Sequence, residues 1–290
     1  MKILITGNRG FVGRHFTYAL LDHNVTYVDI KDGIDARDFF RRDDTYFDLL
    51  IHLAAVVGGR QTIEGSPLSL AVDLSIDSEM ASWAIRTQPG HILYFSSSAA
   101  YPVELQTLEL KRMLTENDIN LRDIRLPDYT YGWAKLTGEM LCEHLRREGL
   151  SVTVLRPFSG YGEDQSLEYP FPSFMERAGR KADPFTIWGS ALTTRDWIHI
   201  DDIVEASLLL AKDRMSININ LSTGRPTTFM ELFNLVARQV GYKPVVEVDE
   251  GAPKGGAYRV GNPALLKSLG YNPKVTLEVG VSRCLTVWRQ

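Results

Sequence analysis

Hydrophobic and polar positions in the first two-thirds of the chain form short apolar runs that alternate with longer segments of helical spacing. The apolar runs predict strands over residues 3–5, 25–30, 49–54, 91–95 and 151–155. The run at 49–54 is almost continuously apolar, which is typical of a strand buried on both faces. Strands that alternate with helices predict βαβ units and a parallel sheet.

The segments between these runs predict helices over 14–22, 67–87 and 130–148, whereas 102–128 has no clear period and is expected to be a long loop with one short helix. After Arg156, more frequent prolines and glycines predict a smaller lobe of loops and short elements. We therefore expect an α/β chain in two parts. A doubly wound parallel sheet occupies 1–156 and is completed by a later segment at about 187–222, and a mainly substrate-binding lobe occupies 157–290.

Composition excludes several classes of protein. With 290 residues, 44% hydrophobic and 23% charged, the chain has the profile of a globular protein and can bury a sizeable core. A net charge of −4 argues against nucleic acid or an anionic membrane as a partner. No apolar run is long enough for a membrane helix or a signal peptide. Two cysteines, too few for a disulfide framework, fit a reducing cytoplasm, and six scattered histidines predict no metal site.

The start of the chain carries the clearest binding motif. The strand at 3–5 runs directly into a turn with Gly7, Gly10 and Gly13, and a helical segment follows. This order lets backbone amides at a helix N-terminus approach a dinucleotide pyrophosphate, and a side chain at Gly10 would block that approach. The motif predicts a Rossmann-type fold and a bound dinucleotide.

Asp29 identifies the expected dinucleotide. It closes the second predicted strand, where a carboxylate can accept hydrogen bonds from ribose hydroxyls and would repel a 2′-phosphate. This position favours NAD over NADP, although Arg9, Arg14 and Lys31 place positive charge nearby. Asp35 is either an adenine contact or a helix N-cap.

Tyr131 and Lys135 are four residues apart on one face of a predicted helix. A phenol with a pKa of about 10 is a poor base at neutral pH, and a neighbouring ammonium, together with a cationic nicotinamide ring, lowers that pKa. Ser97 ends a strand and can hydrogen-bond the substrate oxygen with which Tyr131 would exchange a proton. These three residues predict a proton-transfer site.

Taken together, the motifs resemble the extended short-chain dehydrogenase/reductase superfamily, specifically its NAD-dependent nucleotide-sugar epimerases and dehydratases. The resemblance spans nearly the whole chain. It rests on TGNRGFVG at 6–13, IHLAA at 51–55, FSSSAAYP at 95–102, YGWAK at 131–135, LRPFSGYG at 155–162, TRDWIHIDD at 194–202, NLSTG at 220–224 and LGYNPK at 269–274.

The resemblance implies a role for each matching position. Tyr131 would be the acid–base, Lys135 would hold the nicotinamide ribose, and Ser97 would be the catalytic serine, with Ser98 as the alternative. The implied cofactor-binding residues are Gly7, Arg9, Gly10, Phe11, Val12, Gly13, Asp29, Asp35, Ala36, Leu53, Ala54, Ala55, Tyr131, Lys135 and Pro157. The implied substrate-binding residues are Ser98, Ser159, Arg195 and Lys254, of which Arg195 would grip the diphosphate. His52 and His199 lie inside strand-like runs and are interpreted as structural.

Departures from the family pattern narrow the reaction. Dehydratases carry an Asp-Glu pair after the catalytic Ser or Thr, where this chain has Ser98 and Ala99. Epimerases acting at C3 and C5, such as GDP-fucose synthase, use a cysteine at the position of Ala99 and a histidine that has no match between Tyr161 and Phe174. What remains is chemistry at C4, which predicts a nucleotide-sugar 4-epimerase that recycles its NAD.

Three alternatives stay open. A 4-ketoreductase would consume NAD(P)H, and a dehydratase would draw its acids from Glu104, Glu109 or Glu116 in the long loop. A non-catalytic dinucleotide sensor would be expected to lack Ser97 or Tyr131. The resemblance also implies a homodimer built from the helices at 67–87 and 130–148, in which Met80 and Trp83 belong either to the interface or to the core of one chain.

Overall fold

A computed structural model describes residues 1–58, 68–251 and 256–288 of the chain. Its centre is a six-stranded parallel sheet whose strands lie in the order 24–28, 2–6, 49–52, 92–95, 152–157 and 218–221. The twelve strands of the described ranges are β1 Lys2–Thr6, β2 Asn24–Val28, β3 Leu49–His52, β4 Ile92–Phe95, β5 Val152–Pro157, β6 Ser159–Tyr161, β7 Phe185–Trp188, β8 Thr194–His199, β9 Asn218–Leu221, β10 Pro226–Thr228, β11 Val246–Asp249 and β12 Tyr258–Arg259.

Helices cover both faces of the central sheet. Successive residues of a strand point to opposite faces, so Ile3 and Ile5 join the core on one face while Leu4 joins the core on the other. The described helices are α1 Phe11–Ala19, α2 Ala36–Arg42, α3 Ser69–Thr87, α4 Tyr129–Arg147, α5 Pro170–Gly179, α6 Ile200–Lys212, α7 Phe229–Val240, α8 Ala264–Ser268 and α9 Leu277–Trp288. α1 and α6 pack on the first face and α2, α3 and α4 on the second, which confirms the predicted doubly wound α/β fold.

Several predicted boundaries differ from the structure. α1 begins at Phe11 rather than at residue 14, because Gly10 already has the extended conformation of an N-cap. β2 ends at Val28, so Asp29 follows the strand and caps a short 3-10 turn. β3 ends at His52. The long loop contains two short 3-10 turns, Val103–Leu105 and Glu116–Asp118, instead of one helix.

Strands that follow residue 157 belong to more than one sheet. Of the predicted segment 187–222, only β9 joins the central sheet, beside β5. β8 pairs instead with β6, β10 and β12, and β7 pairs with β11. α5, α7 and α9 close a separate aromatic core over these strands. Within the described ranges, no helix combines the length and apolar character needed to cross a bilayer.

Met80 and Trp83 belong to the core of the single chain. Both side chains are fully buried between α3 and the central sheet. Of the two positions considered for them, the structure therefore selects the intrachain core.

Candidate active site

The glycine turn joins β1 to α1 at the carboxyl edge of the sheet. The Gly7 amide donates to the Val28 carbonyl over 2.8 Å, and Gly7 has a φ of +78°. A Cβ at Gly13 would lie 2.2 Å from the Gly7 carbonyl oxygen, so only glycine lets the first turn of α1 fold back on the loop. No side chain caps the N-terminus of α1 at Gly10, where Phe11 and Val12 begin the helix. This terminus has the geometry of an anion site.

The Asp29 carboxylate lies beside this turn and is 7% exposed. It accepts the Arg9 amide over 2.8 Å and the Lys31 amide over 2.9 Å. The Arg9 guanidinium pairs with Asp32 at 2.5 Å, and the Arg14 guanidinium pairs with Asp164 at 2.8 Å. Both arginines that could have accepted a 2′-phosphate therefore already face carboxylates.

Asp35 caps α2. Its carboxylate accepts the Arg37 amide over 2.8 Å, and the Arg37 guanidinium holds the pKa of Asp35 below its ordinary value. Ala36 behind it is buried. The structure thus supplies the helix-cap role, and a contact of Asp35 with adenine stays a prediction.

Leu53, Ala54 and Ala55 follow β3 and border the glycine turn. The Leu53 amide donates to the Thr6 carbonyl over 3.0 Å and the Ala54 amide to the Thr6 hydroxyl over 3.3 Å. A Cβ at Gly7 would lie 2.7 Å from the Leu53 carbonyl carbon. Pro157 ends β5 at the same edge of the sheet.

The three serines after β4 have different surroundings. Ser96 donates to the buried Glu139 carboxylate over 2.5 Å, and Ser98 is 5% exposed. Ser97 is partly exposed, accepts the Ala99 amide over 3.1 Å, and hydrogen-bonds the phenol of Tyr131. Among the candidates Ser97 and Ser98, it is therefore Ser97 that the fold places against Tyr131.

Tyr131 and Lys135 lie on one face of α4, with the Lys135 Nζ 5.8 Å from the centre of the Tyr131 ring. Burial and the charge of Asp73 raise the pKa of Tyr131, against the opposing effects of Lys135 and the Ser97 hydrogen bond. The ammonium acts in the direction expected from the sequence, and burial outweighs it. The lowering expected from the ammonium and a bound nicotinamide ring together stays a prediction. Burial opposes the charge on Lys135, yet Tyr131, Asp77 and Asp73 together raise the pKa of Lys135.

The start of α4 is fixed against the serine turn. The Asp128 amide donates to the Ala99 carbonyl over 2.9 Å, and a Cβ at Gly132 would lie 2.4 Å from the same carbonyl oxygen. Arg259, in β12, pairs with the Asp128 carboxylate. These contacts set the position of Tyr131 relative to Ser97.

Two of the predicted substrate residues, Ser159 and Arg195, lie on neighbouring strands, whereas Ser98 lies in the turn after β4. Ser159 in β6 lies opposite Trp197, two residues along β8 from Arg195. The Arg195 guanidinium donates to the Thr194 carbonyl over 2.9 Å and to the Gly256 carbonyl over 2.8 Å. Lys254 lies outside the described residues.

The sequence reasoning overlooked three groups near this site. Two of them, Asp73 and Asp77, are buried on α3. The third is Tyr169, just before α5, whose phenol has its pKa raised by burial and by the charge of Tyr131. The spacing of Asp73 and Asp77, four residues apart on the same helical face as Met80, was the available signal. His52 and His199 are buried within strands, as interpreted.

Comparison with known proteins places this geometry in context. The model of the NAD dependent epimerase/dehydratase family matches residues 3–221. The GDP-L-fucose synthase 1 of Arabidopsis thaliana is 26% identical over 97% of this chain and 91% of its own. A dTDP-4-dehydro-6-deoxy-D-allose reductase of Streptomyces bikiniensis is 26% identical over 89% and 87%.

A solved structure agrees on the fold. The UDP-glucose 4-epimerase of Thermus thermophilus, determined as a complex with NAD, superposes with a TM-score of 0.84 at 21% identity and covers 100% of this chain and 99% of its own. The architecture assigned from the apolar pattern is thereby confirmed.

Proposed function

Because the chain belongs to the NAD-dependent epimerase/dehydratase family, we propose that it is a nucleotide-sugar 4-epimerase that oxidises its substrate transiently at C4. The observation that carries the proposal is the assembly of Ser97, Tyr131 and Lys135 at the same sheet edge as the glycine turn and Asp29.

The described residues fit NAD better than NADP. The uncapped α1 terminus suits a pyrophosphate, and the Asp29 carboxylate is held by two backbone amides at the end of β2. A 2′-phosphate would meet this carboxylate, while Arg9 and Arg14 are engaged with Asp32 and Asp164. Bound NAD would supply the hydride acceptor at C4 and return the hydride within the same cycle.

Tyr131 is the group placed to move the proton. In the proposed reaction it accepts the proton of the C4 hydroxyl and later returns it, while Ser97 hydrogen-bonds the same oxygen. The form of Tyr131 that accepts this proton is the phenolate; burial raises the pKa of the phenol, and the charge of Lys135 opposes that effect. The Lys135 ammonium stabilises the negative charge of the Tyr131 phenolate.

The surroundings of the long loop's acids argue against a dehydratase. Glu104 pairs with Arg125 at 3.0 Å on the surface, and Glu116 accepts the Asn220 amide over 2.9 Å. Glu109 is exposed. None of these contacts involves Ser97 or Tyr131, and Ala99 offers no acid beside them.

A 4-ketoreductase is the second candidate. The similarity to the Streptomyces bikiniensis reductase favours it. Such an enzyme would consume one molecule of NAD(P)H per turnover, whereas the proposed epimerase regenerates its bound NAD and consumes no NAD(P)H.

The experiment is to incubate the purified protein with UDP-, GDP-, dTDP- and CDP-sugars without added cofactor and to separate the products. We expect one substrate to be converted into its C4 epimer, and the Tyr131→Phe variant to be inactive while still binding NAD. A 6-deoxy-4-keto product, or an absolute requirement for added NAD(P)H, would exclude the 4-epimerase.

We further propose a cytoplasmic homodimer assembled through the outward faces of α3 and α4, where Ile85 and Trp133 are exposed. Cys142 and Cys284 are buried free thiols, which supports a reducing compartment. Sedimentation of the wild-type chain and of Trp133→Glu tests the dimer, because a charge at the interface should shift the population to monomer.

A further inference from the structure

α3 buries two carboxylates that the proposed reaction does not use. Asp73 and Asp77 are 4% and 3% exposed and stand four residues apart. A buried carboxylate is costly unless hydrogen bonds or an opposite charge compensate it. Their partners therefore indicate what the pair is for.

Asp77 is the end of a hydrogen-bonded chain that starts at the glycine turn. Its carboxylate accepts the Tyr94 hydroxyl over 2.6 Å and lies 3.1 Å from the His52 Nε2. Since a carboxylate only accepts, Nε2 carries the proton and Nδ1 accepts the Thr6 hydroxyl over 2.8 Å. The Thr6 oxygen in turn accepts the Ala54 amide. Asp77 thus fixes Tyr94 and the end of β3 together.

Asp73 fixes the next residues of the same segment. Its carboxylate accepts the Val56 amide over 2.6 Å. Burial raises the pKa of Asp73 to about 6, against the opposing charge of Lys135. The carboxylate therefore lies within the electrostatic reach of the proton-transfer site.

Lys135 lies over the ring of Tyr94, and the charges of Asp77 and Asp73 both act on its ammonium. Its Nζ is 5.4 Å from the centre of the Tyr94 ring, whose hydroxyl Asp77 holds. One turn along α4, a Cβ at Gly138 would lie 1.7 Å from the Tyr94 hydroxyl and 2.5 Å from the Asp77 carboxylate. A glycine at position 138 is what allows α4 to pack directly on the Tyr94–Asp77 pair.

We propose that Asp73 and Asp77 are positioning residues: from α3 they fix Tyr94 and the segment after β3, and their buried negative charge acts on the Tyr131–Lys135 pair. The proposal rests on the proposed function only in taking Tyr131 and Lys135 as the proton-transfer groups. It adds a role for α3, which then links the cofactor turn to the acid–base.

The pair has a measurable electrical consequence. The charges of Asp73 and Asp77 both raise the pKa of Tyr131. The other charged or titratable groups of the described chain around the pair are Lys135, Glu139 and Cys142 on α4, Tyr94 on β4 and His52 on β3. Removing one carboxylate charge should lower the pKa of the Tyr131 phenol.

The test is a phenolate absorbance titration of the NAD-bound protein, taken as the difference between each form and its Tyr131→Phe partner. We expect Asp73→Asn and Asp77→Asn each to shift the Tyr131 titration to lower pH by about one unit. With a substrate in hand, the ascending limb of kcat/KM should shift equally, with KM within about twofold.

Asp202→Asn is the matched control. Asp202 is also buried and accepts a tyrosine hydroxyl, that of Tyr271 over 2.8 Å, but in the C-terminal part of the chain. It should lower thermal stability and leave the Tyr131 titration unchanged.

If Asp73→Asn titrates like the wild type, or if Asp202→Asn shifts the titration as much, the positioning role is wrong. Because the titration needs no substrate, it remains decisive even if 4-epimerase activity is never found. Should Asp77→Asn fail to fold, Asp73→Asn alone decides the matter.

Discussion

Replacing Gly132 by alanine should inactivate the enzyme without unfolding it. The new Cβ would lie 2.4 Å from the Ala99 carbonyl oxygen, whereas ordinary contact begins at 3.4 Å. α4 and the serine turn must therefore separate by about 1 Å, a displacement that typically costs about 100-fold in rate when it separates reacting groups. The strain should cost about 1–3 kcal/mol of folding free energy, partly offset by about 1 kcal/mol from the better helix propensity of alanine.

The assay compares kcat and the urea midpoint of Gly132→Ala with those of the wild type. Gly251→Ala is the matched control, because among the described residues not adjacent to it the only atom within 4 Å of its Cβ is an oxygen of the flexible Asp249 carboxylate at 3.3 Å. We expect kcat to fall about 100-fold in Gly132→Ala and to stay unchanged in Gly251→Ala. A Gly132→Ala protein that keeps kcat within threefold of the wild type would refute the argument that this contact sets the distance between Tyr131 and Ser97.

Three further predictions concern the cofactor, the core and pH. Asp29→Ala should weaken NAD binding about tenfold and narrow the preference over NADP, as measured by titration calorimetry; unchanged selectivity would contradict the role of Asp29. Arg156 and Glu139 form a fully buried bidentate pair, so Arg156→Met should lower the free energy of unfolding by about 3–5 kcal/mol. The double variant Arg156→Met/Glu139→Leu should lose less than this single variant, and additive losses of unfolding free energy in urea would contradict the prediction. Because burial raises the pKa of Asp73 from 3.8 to about 6, the folded state holds its proton over that range, and stability should fall as pH rises through it. This dependence of Tm should vanish in Asp73→Asn, and an identical Tm profile would contradict it.

Local patterns were enough to predict the alternation of strands and helices, the glycine turn and the Tyr131–Lys135 spacing. Each depends on neighbours in sequence: apolar runs, glycine geometry and the four-residue helical repeat. The choice between Ser97 and Ser98 needed the fold, because it depends on which serine faces α4.

The features that the sequence did not predict depend on contacts between residues that are distant in sequence. The role inferred for Asp73 and Asp77 depends on their interactions with His52, Tyr94 and Lys135, which lie on β3, β4 and α4. The raised pKa of Tyr131 depends on burial, which spacing alone does not reveal. Similarly, nothing local distinguishes β9, which completes the central sheet, from β8, which does not.

The central claim is that the hydride removed at C4 returns to C4 of the same sugar. The most direct measurement uses a nucleotide sugar deuterated at C4, incubated in ordinary water with Ser97, Tyr131 and Lys135 intact and no added cofactor. The account predicts that the epimeric product keeps its deuterium at C4. Transfer of the deuterium to C6, or an epimeric product that carries hydrogen in place of deuterium at C4, would contradict a cofactor that is recycled within each turnover.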